Sequence, residues 1–384
     1  MNSWKKVRLG DICTVVSGTT PKSNVPEFWN GDLNWVTPAE LNDETKVIYI
    51  TQRKITPAAV RASSLKPFPA GTVLLSSRAP IGKIAIAGTE MYCNQGFKNL
   101  ICSERIHNGF LYRYLKGKTE YLNSLGRGAT FKEISKTIVE DIQIPLPPIN
   151  EQRRIASVLD KISHLIAQRK QQIEQLDLII KSRFIEMFEG RIKKKWENKR
   201  LDEIATTRLG KMLDAKKQTG ICSYPYLANF NVRWFGFDLE RLKEMDFNED
   251  DRIEFSLMNG DLLICEGGEV GRTAIWRGER ANCFFQKALH RVRCNPEMCV
   301  PEYIAWVMYF KAQNGQFNEV ATTATIAHLP SVKLKVIKFS LPPLELQNAF
   351  ADFVQQVDKS KFEVQQGLKK LELQYNALMQ EYFG

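Results

Sequence analysis

The chain has 384 residues, enough for two or three domains that each bury a core of their own. A composition of 43% hydrophobic and 25% charged residues is that of an ordinary globular protein, and the net charge of +11 favours a polyanion as partner. No apolar run approaches the roughly 18 residues that span a bilayer, and no stretch resembles a signal peptide, so we expect a cytoplasmic protein rather than a membrane protein.

The first 148 residues predict a mixed, strand-rich structure of many short elements. Residues 73–75 and 84–86 are short apolar runs bounded by Gly and Pro, which is typical of buried strands. Turn-forming residues fill the stretch 18–24. A proline-rich run closes the segment in an extended conformation, because a residue before proline avoids helical torsions. We therefore expect a first globular domain, or head, over residues 1–148.

Two segments carry apolar residues at alternating steps of three and four, the spacing of a coiled coil. We expect residues 149–190 to form a central spacer helix and residues 344–384 to form a C-terminal spacer helix. Each helix needs a partner for its apolar stripe, and the available chain lengths favour antiparallel pairing with the other one. The seam positions are Ile155, Leu159, Ile162, Ile166, Ile173, Leu176 and Ile180 on the first helix, and Phe353, Val357, Val364, Leu368, Leu371, Tyr375 and Leu378 on the second.

Landmarks of the first half recur in the second half in the same order, which predicts one structural unit built twice. A second head is therefore expected over residues 191–343. Residues 19–70 have no convincing counterpart in residues 211–259, so the two heads should recognise different targets. The expected fold is α+β, with two similar globular heads joined by two long antiparallel coiled-coil helices and an approximate (pseudo) two-fold symmetry. The recurring pairs include Trp4 and Trp196, Arg8 and Arg200, Gly18 and Gly210, Gly82 and Gly271, and Pro147 and Pro342.

Catalytic and metal-binding patterns are weak in this sequence. Residues 267–273 imitate a phosphate loop, but the run is one residue short and carries Arg272 where the motif needs Lys. A zinc site at His290, Cys294 and Cys299 fits none of the usual ligand spacings, and strand packing is the preferred interpretation. We therefore expect no catalytic residues and no metal in this chain.

Cationic, amide and hydroxyl side chains concentrate on the expected loops of both heads. Arg suits guanine edges, Asn or Gln suits adenine, and Lys suits phosphates, so these sets favour DNA binding. A solvated surface charge is the alternative for any single residue, and core packing is the preferred role for Trp29 and Trp35. The candidates are Lys22, Ser23, Asn24, Ser77, Arg78, Lys83, Gln95, Lys98 and Arg127 in the first head, and Lys211, Lys217, Arg233, Arg272, Gln286 and Lys287 in the second.

The chain resembles the specificity subunit of a Type I restriction-modification enzyme. The resemblance covers the whole length, including both helices. The second head departs from the pattern, because Glu266 and two glycines replace Ser-Arg-x-Pro, so the role of Arg78 does not carry over to it. The matching stretches are residues 4–12, 17–21, 77–82, 94–97 and 144–152, with Trp29 and Trp35.

The resemblance implies two target-recognition domains, each reading one half of a bipartite, gapped site in double-stranded DNA. It also implies that the coiled coil sets the gap and docks two methyltransferase (modification) subunits, and that a nuclease-translocase (restriction) subunit completes the complex. The chain itself would then be non-catalytic and free of cofactors. S-adenosylmethionine, ATP and Mg would be bound by the partner subunits.

Two other classes of function are weighed against this one. A methyltransferase or nuclease fused into one chain would carry a cofactor-binding or catalytic motif. A coiled-coil scaffold without DNA affinity would explain the two helices but not the duplicated basic heads.

Overall fold

The computed structural model divides the chain into two compact units. Unit 1 comprises Met1–Gln171 and Gln365–Gly384, and unit 2 comprises Gln172–Val364. Each unit therefore contains one head and part of each long helix, whereas the boundaries expected from the sequence separate heads from helices. The structure describes residues 4–42, 45–78, 80–128, 132–189, 196–214, 218–317 and 328–384.

The first head is built from short strands and short helices, followed by a long helix. Its elements in chain order are β1 (Lys6–Arg8), β2 (Cys13–Val16), β3 (Trp29–Val36), β4 (Val47–Ile48), β5 (Lys54–Ile55), α1 (Pro57–Ala62), β6 (Val73–Leu75), β7 (Ile84–Ala87), β8 (Tyr92–Cys93), β9 (Asn99–Cys102), α2 (Asn108–Lys116), α3 (Thr119–Ser124), α4 (Lys136–Asp141), β10 (Gln143–Pro145) and α5 (Ile149–Phe184). Helix α5 continues into a π-helical turn, Ile185–Glu189.

The second head has a similar inventory. Its elements are β11 (Glu197–Arg200), α6 (Leu201–Ile204), β12 (Ala205–Leu209), β13 (Ser223–Leu227), β14 (Val232–Arg233), β15 (Gly236–Phe237), β16 (Lys243–Asp246), α7 (Glu249–Glu254), β17 (Leu262–Cys265), β18 (Thr273–Ile275), β19 (Phe284–Phe285), β20 (Leu289–Cys294), α8 (Pro301–Gln313), α9 (Ser331–Lys335), β21 (Lys338–Leu341) and α10 (Leu344–Phe383).

Both heads use the same strand connections. The order β2-β9-β6-β7 in the first head matches β12-β20-β17-β18 in the second, and a parallel pair, β3 with β8 and β13 with β19, accompanies each sheet. The central strands are apolar on both faces, since Val73, Leu74 and Leu75 are fully buried. Strands that are covered on both sides need such continuous apolar runs. The duplication predicted from the sequence is thus present as a repeated sheet.

Helices α5 and α10 run antiparallel in each unit. In unit 1, Phe383 at the end of α10 packs against Phe110 of the head, with ring centroids 5.1 Å apart, in the same core as Leu159 near the beginning of α5. In unit 2, Phe350 near the beginning of α10 packs against Phe184 at the end of α5, with centroids 5.4 Å apart. Each head therefore buries the beginning of one long helix and the end of the other.

The expected seam lies on the covered side of both helices. Four seam residues, Ile155, Leu159, Ile180 and Val357, belong to the hydrophobic cores of the heads. Val354 and Phe383, which lie outside the expected seam, belong to the same cores. Ile155, Leu159, Ile162, Ile180, Val357 and Val364 are buried, and Ile166, Ile173, Leu176, Phe353, Leu368, Leu371, Tyr375 and Leu378 are half-buried. No helix within the described ranges combines the length and apolar character that crossing a membrane requires.

The two heads contact the long helices through different kinds of side chain, with a charged contact in unit 1 and an aromatic cluster in unit 2. In unit 1, the guanidinium of Arg113 on α2 donates to Asp160 of α5, with Nη2 and Oδ1 2.6 Å apart, and to the hydroxyl of Tyr375 on α10 at 3.3 Å. In unit 2, Phe184 of α5 stacks on Phe310 of α8, with centroids 4.8 Å apart. The ion pair, in which Arg113 is buried and Asp160 half-buried, fixes geometry, whereas an aromatic cluster contributes mainly apolar burial.

Candidate nucleic-acid interface

Three loops of the first head meet at Ser77. The backbone N–H of Ser77 donates to the carbonyl of Gly96 at 2.8 Å, and its carbonyl accepts from Ile134 at 3.0 Å. Arg78 and Arg127 each pair through their backbones with Glu133. Arg78 and Arg127, 49 positions apart in sequence, therefore lie next to each other and next to the loop that carries Gln95. Ser77 itself is fully buried beneath them, so its side chain holds the loops together and the prediction that it contacts DNA is wrong.

Glu133 is the electrostatic centre of that surface. Its Oε1 lies 3.0 Å from the ammonium of Lys98, and its Oε2 lies 3.7 Å from the Arg78 guanidinium. Lys98 is buried and also donates to the Ser77 hydroxyl at 3.4 Å. Lys98 is therefore placed to support the loop, while Arg78 remains partly exposed. The sequence interpretation missed Glu133, whose only signal was its position next to Ile134, which recurs as Leu329 in the second half of the sequence.

Two tryptophans hold the loop that follows β2. The indole N–H of Trp35 donates to the carbonyl of Thr19, and that of Trp29 donates to the carbonyl of Lys22, both at 3.2 Å. Trp35 is 1% exposed, so it cannot stack on a base. These contacts fix the backbone of the loop from below and leave the side chain of Lys22 exposed.

The same loop is tied to the surface around Ser77. The hydroxyl of Thr20 donates to the side-chain carbonyl of Gln95 at 2.5 Å, and Gln95 precedes Gly96. Ser23 and Asn24 are exposed at the end of the loop, and Lys83 donates from its ammonium to the carbonyl of Pro38 at 3.4 Å. Hydrogen bonds thus connect the Lys22 loop, Gln95 and the Ser77–Arg78–Glu133 group into one site, which we call the first-head surface.

A close backbone crossing explains why Gly18 and Gly210 recur. A Cβ atom on Gly18 would lie 1.7 Å from the carbonyl oxygen of Cys93, and one on Gly210 would lie 2.3 Å from that of Gln286. Any side chain at either position would push the two backbones apart. The glycine therefore sets the direction in which each candidate loop leaves the sheet.

The backbone hydrogen bond that joins Ile134 to Ser77 has a counterpart in the second head, where the side chains differ. Leu329 donates from its N–H to the carbonyl of Glu266 at 2.7 Å, as Ile134 does to Ser77 in the first head. His290, opposite Ile264 in the ladder, takes the place of Lys98, and its Nε2–H donates to the carbonyl of Leu329 at 3.1 Å. Burial lowers the pKa of His290, so its imidazole is neutral at pH 7.

That position of His290 favours strand packing over a metal site. Its ring is fully buried in the sheet and is engaged with the backbone carbonyl of Leu329. Within the described ranges, no three His, Cys, Asp or Glu side chains come together as a possible metal-binding cluster.

Several candidates of the second head are engaged within the protein. The ammonium of Lys211 donates to the carbonyl of Asp246 at 2.6 Å and pairs with Asp251 at 2.5 Å. The guanidinium of Arg272 donates to the carbonyl of Asn229 at 2.8 Å. These two cations therefore hold loops of the second head in place, which composition alone did not indicate.

The remaining candidates of the second head lie on loops near these contacts. Arg233 donates to the carbonyl of Phe230 at 2.7 Å and approaches Asp238 at 3.4 Å. Gln286 pairs with Lys211 through its backbone and is half-exposed, while Lys287 is exposed. Lys217 lies outside the described residues. Apart from Ser77, the DNA-contact assignment of every candidate in both heads stays a prediction.

A buried glutamine repeats where each long helix begins. Gln152 donates from Nε2 to the carbonyl of Pro147 at 2.9 Å, and Gln347 donates to that of Pro342 at 2.8 Å. Both side chains are fully buried. The glutamine therefore has a structural role, which explains why Glu151-Gln152 of the first half recurs as Leu346-Gln347 in the second half, with only the glutamate replaced.

Comparison with known proteins identifies the family. Residues 1–176 and 193–373 match the family described as Type I restriction modification DNA specificity domain. The Type I restriction enzyme MjaIX specificity subunit of Methanocaldococcus jannaschii is 38% identical over 228 residues, which are 54% of this chain and about half, 52%, of that protein. The MjaVIII specificity subunit of the same organism is 22% identical over 400 residues, covering 96% of this chain and 91% of that protein.

Solved structures with the same fold cover the whole chain. The crystal structure of the S subunit of the Type I restriction-modification system from M. genitalium has a TM-score of 0.63 at 16% identity and is matched over 97% of its length. A chain from a study of complex assembly and conformational transition of the type I system has a TM-score of 0.61 at 18% identity. The predicted α+β fold class, with two similar heads and two long antiparallel helices, is confirmed. Because the matched ranges include both heads and much of both helices, this chain belongs to the Type I restriction-modification DNA specificity family.

Proposed function

We propose that this chain is the sequence-specific DNA recognition subunit of a Type I restriction-modification complex. Each head reads one half of a bipartite, gapped site in double-stranded DNA. The coiled coil sets the length of the gap and docks two methyltransferase subunits, and a nuclease-translocase subunit binds the assembled complex. The chain works in the cytoplasm, where the DNA is.

The observation that carries the proposal is the first-head surface. It gathers exposed Lys22, Ser23, Asn24 and Gln95 with partly exposed Arg78 on loops that hydrogen bonds hold in place. Lys at such a surface suits phosphates, and Arg and Gln suit base edges. Fixed loops lose less conformational entropy on binding, which favours recognition over loose electrostatic attraction.

The difference between the heads supports two different half-sites. Where these loops meet, the first head carries partly exposed Arg78, whereas the second head carries partly exposed Glu266. A shared scaffold that carries different polar side chains fits two readers with different base preferences. Two such readers on one side of a duplex contact it about one helical turn apart, or roughly 10 base pairs.

The catalytic steps belong to the methyltransferase and nuclease-translocase subunits in this proposal. Residues 267–273, which imitate a phosphate loop, turn tightly between β17 and β18, and Arg272 is used there to hold Asn229. We therefore place S-adenosylmethionine, ATP and Mg in the partner subunits and assign this chain no catalytic step.

A binding titration tests the proposal. Duplexes carrying the site methylated in a host that holds this chain and its partner subunits should bind the purified complex far more tightly than shuffled duplexes. Affinity should fall steeply with salt, because phosphate contacts release counterions. Equal affinity for shuffled DNA would contradict specific recognition, and the absence of salt-dependent binding would favour a scaffold without DNA affinity.

A further inference from the structure

Arg53 lies in the segment 19–70, which the second head does not share, and its side chain is exposed just before strand β5. Its guanidinium carbon is 3.9 Å from the centroid of the Trp29 ring and 5.1 Å from that of Trp35. The two indoles meet edge to face with centroids 5.2 Å apart. Arg53 is therefore stacked on a rigid aromatic platform.

The hydrogen-bonding edge of Arg53 is unused. In the described part of the chain, no carboxylate, carbonyl or hydroxyl group accepts a hydrogen bond from its guanidinium, whereas Arg78 faces Glu133 and Arg272 binds Asn229. An exposed arginine normally samples many rotamers, and ordering it on binding costs conformational entropy. Contact with Trp29 already restricts the side chain of Arg53 before DNA binds, so less entropy is lost on binding. The N–H groups of the guanidinium remain free to donate.

The platform also places Arg53 in the first-head surface. The indole N–H of Trp29, on which Arg53 stacks, holds the carbonyl of Lys22, and that of Trp35 holds the carbonyl of Thr19. The same pair of rings therefore positions a phosphate-type cation, Lys22, and a planar donor, Arg53. This combination is what a base-reading site needs, since Lys can anchor the backbone while Arg reaches a base.

We propose that Arg53 determines part of the specificity of the first head by donating two hydrogen bonds to O6 and N7 of a guanine in the major groove. This inference rests on the proposed function and extends it to a residue and a base. A guanidinium held by one face on an indole presents its edge, and its two parallel N–H groups match the two acceptors of guanine. A phosphate accepts the same two N–H groups but carries no sequence information, so discrimination between bases separates the two kinds of contact.

Base-by-base binding measurements with Arg53→Ala, Arg53→Lys and the control Arg61→Ala test this. Arg61 is an exposed arginine on α1 of the same segment. The DNA is the site established for the wild-type complex, together with duplexes substituted at each base pair. Arg53→Ala should weaken binding about five- to hundredfold and abolish discrimination at a single G·C pair. Arg53→Lys should not restore that discrimination, and Arg61→Ala should change neither quantity.

Other outcomes overturn the inference. A uniform loss across all duplexes that Arg53→Lys rescues, with a salt slope smaller by about one, would identify a phosphate contact instead. An Arg53→Ala complex with the wild-type base profile would remove Arg53 from the interface. Urea denaturation of each variant, compared with the wild type, checks that the variants fold. A wild-type complex that recognises no bipartite site would refute the proposed function itself, and this inference with it.

Discussion

The side-chain carbonyl of Gln152 accepts a hydrogen bond from the backbone N–H of His107 at 2.8 Å, and this contact joins the beginning of α5 to the beginning of α2. The amide of Gln152 also donates to the carbonyls of Arg105 and Pro147. Gln347 makes the same three contacts in the second head, with Val300, Met298 and Pro342. One buried amide thus sets how each head meets its long helix.

Replacing this glutamine should destabilise the protein. Gln152→Leu leaves one N–H and two carbonyl groups of the backbone without their partner, and each buried unsatisfied group costs about 1–3 kcal/mol. We expect the free energy of unfolding, measured by urea denaturation, to fall by at least about 1–3 kcal/mol. Gln168→Leu, an exposed position on the same helix, is the matched control and should change it by less than about 0.5 kcal/mol. Equal effects of the two variants would argue against the buried role.

His290 should make the stability of the protein depend on pH. Burial lowers its pKa below the ordinary value of 6.5, so the unfolded chain binds a proton more readily than the folded one. The stability due to the neutral ring is therefore fully present above pH 6.5 and is lost as the pH falls through the lowered pKa. Urea midpoints of the wild type should decrease between pH 8 and pH 5 by more than those of His290→Gln.

Burial also lowers the pKa of His107, so both histidines contribute to the pH dependence of stability. The comparison with His290→Gln separates the contribution of His290 from that of His107. Glutamine can still donate to the carbonyl of Leu329 but cannot take up a proton in this range. Identical pH profiles for the two proteins would contradict the assignment of His290 as a neutral, buried donor.

Glu133 should restrain non-specific DNA binding by the first head. Glu133→Gln removes the carboxylate that faces Lys98 and Arg78, so at least one of these cations becomes available to phosphates. The affinity for random duplex DNA should rise a few-fold, and the slope of log affinity against log salt should steepen by about 0.9 for each added phosphate contact. Glu120→Gln makes the same charge change at an exposed position on α3. The same response from both variants would show a general charge effect only.

Shortening both long helices should shorten the gap. Removal of one facing heptad from each helix, around the ion pair of Lys170 and Glu372, takes out about 10 Å of helix. At ~3.4 Å per base pair, this corresponds to about three base pairs of the spacer. Sequencing of the methylated sites should show unchanged half-sites at a reduced separation. Recovery of the original gap would contradict the role of the helices as a ruler.

Features that depend on local spacing could be predicted from the sequence. The alternating steps of three and four identified both long helices, because the side chains of one helical face recur at that period. The repeated landmarks also indicated two related heads, since Gly18 and Gly210 are required by the same backbone crossing. These signals need no knowledge of which distant residues meet.

The arrangement of the site depends on contacts between distant residues and could not be predicted in this way. Glu133 meets Lys98 and Arg78 only because three loops converge on Ser77. The sequence indicated Arg272 as a cation available to DNA, but its guanidinium donates to the backbone carbonyl of Asn229. Nothing in the sequence distinguishes Arg53 from other charged residues, since its contact with the Trp29 ring exists only in the folded head.

Exchange of residues 19–70 for the corresponding segment of another family member, followed by sequencing of the methylated sites of the host DNA, tests the central proposal most directly. With independent heads that share a scaffold, only one half-site of the bipartite sequence should change, and the other half-site and the gap should stay the same. A change in both half-sites, or a continuous recognition sequence without a gap, would contradict it.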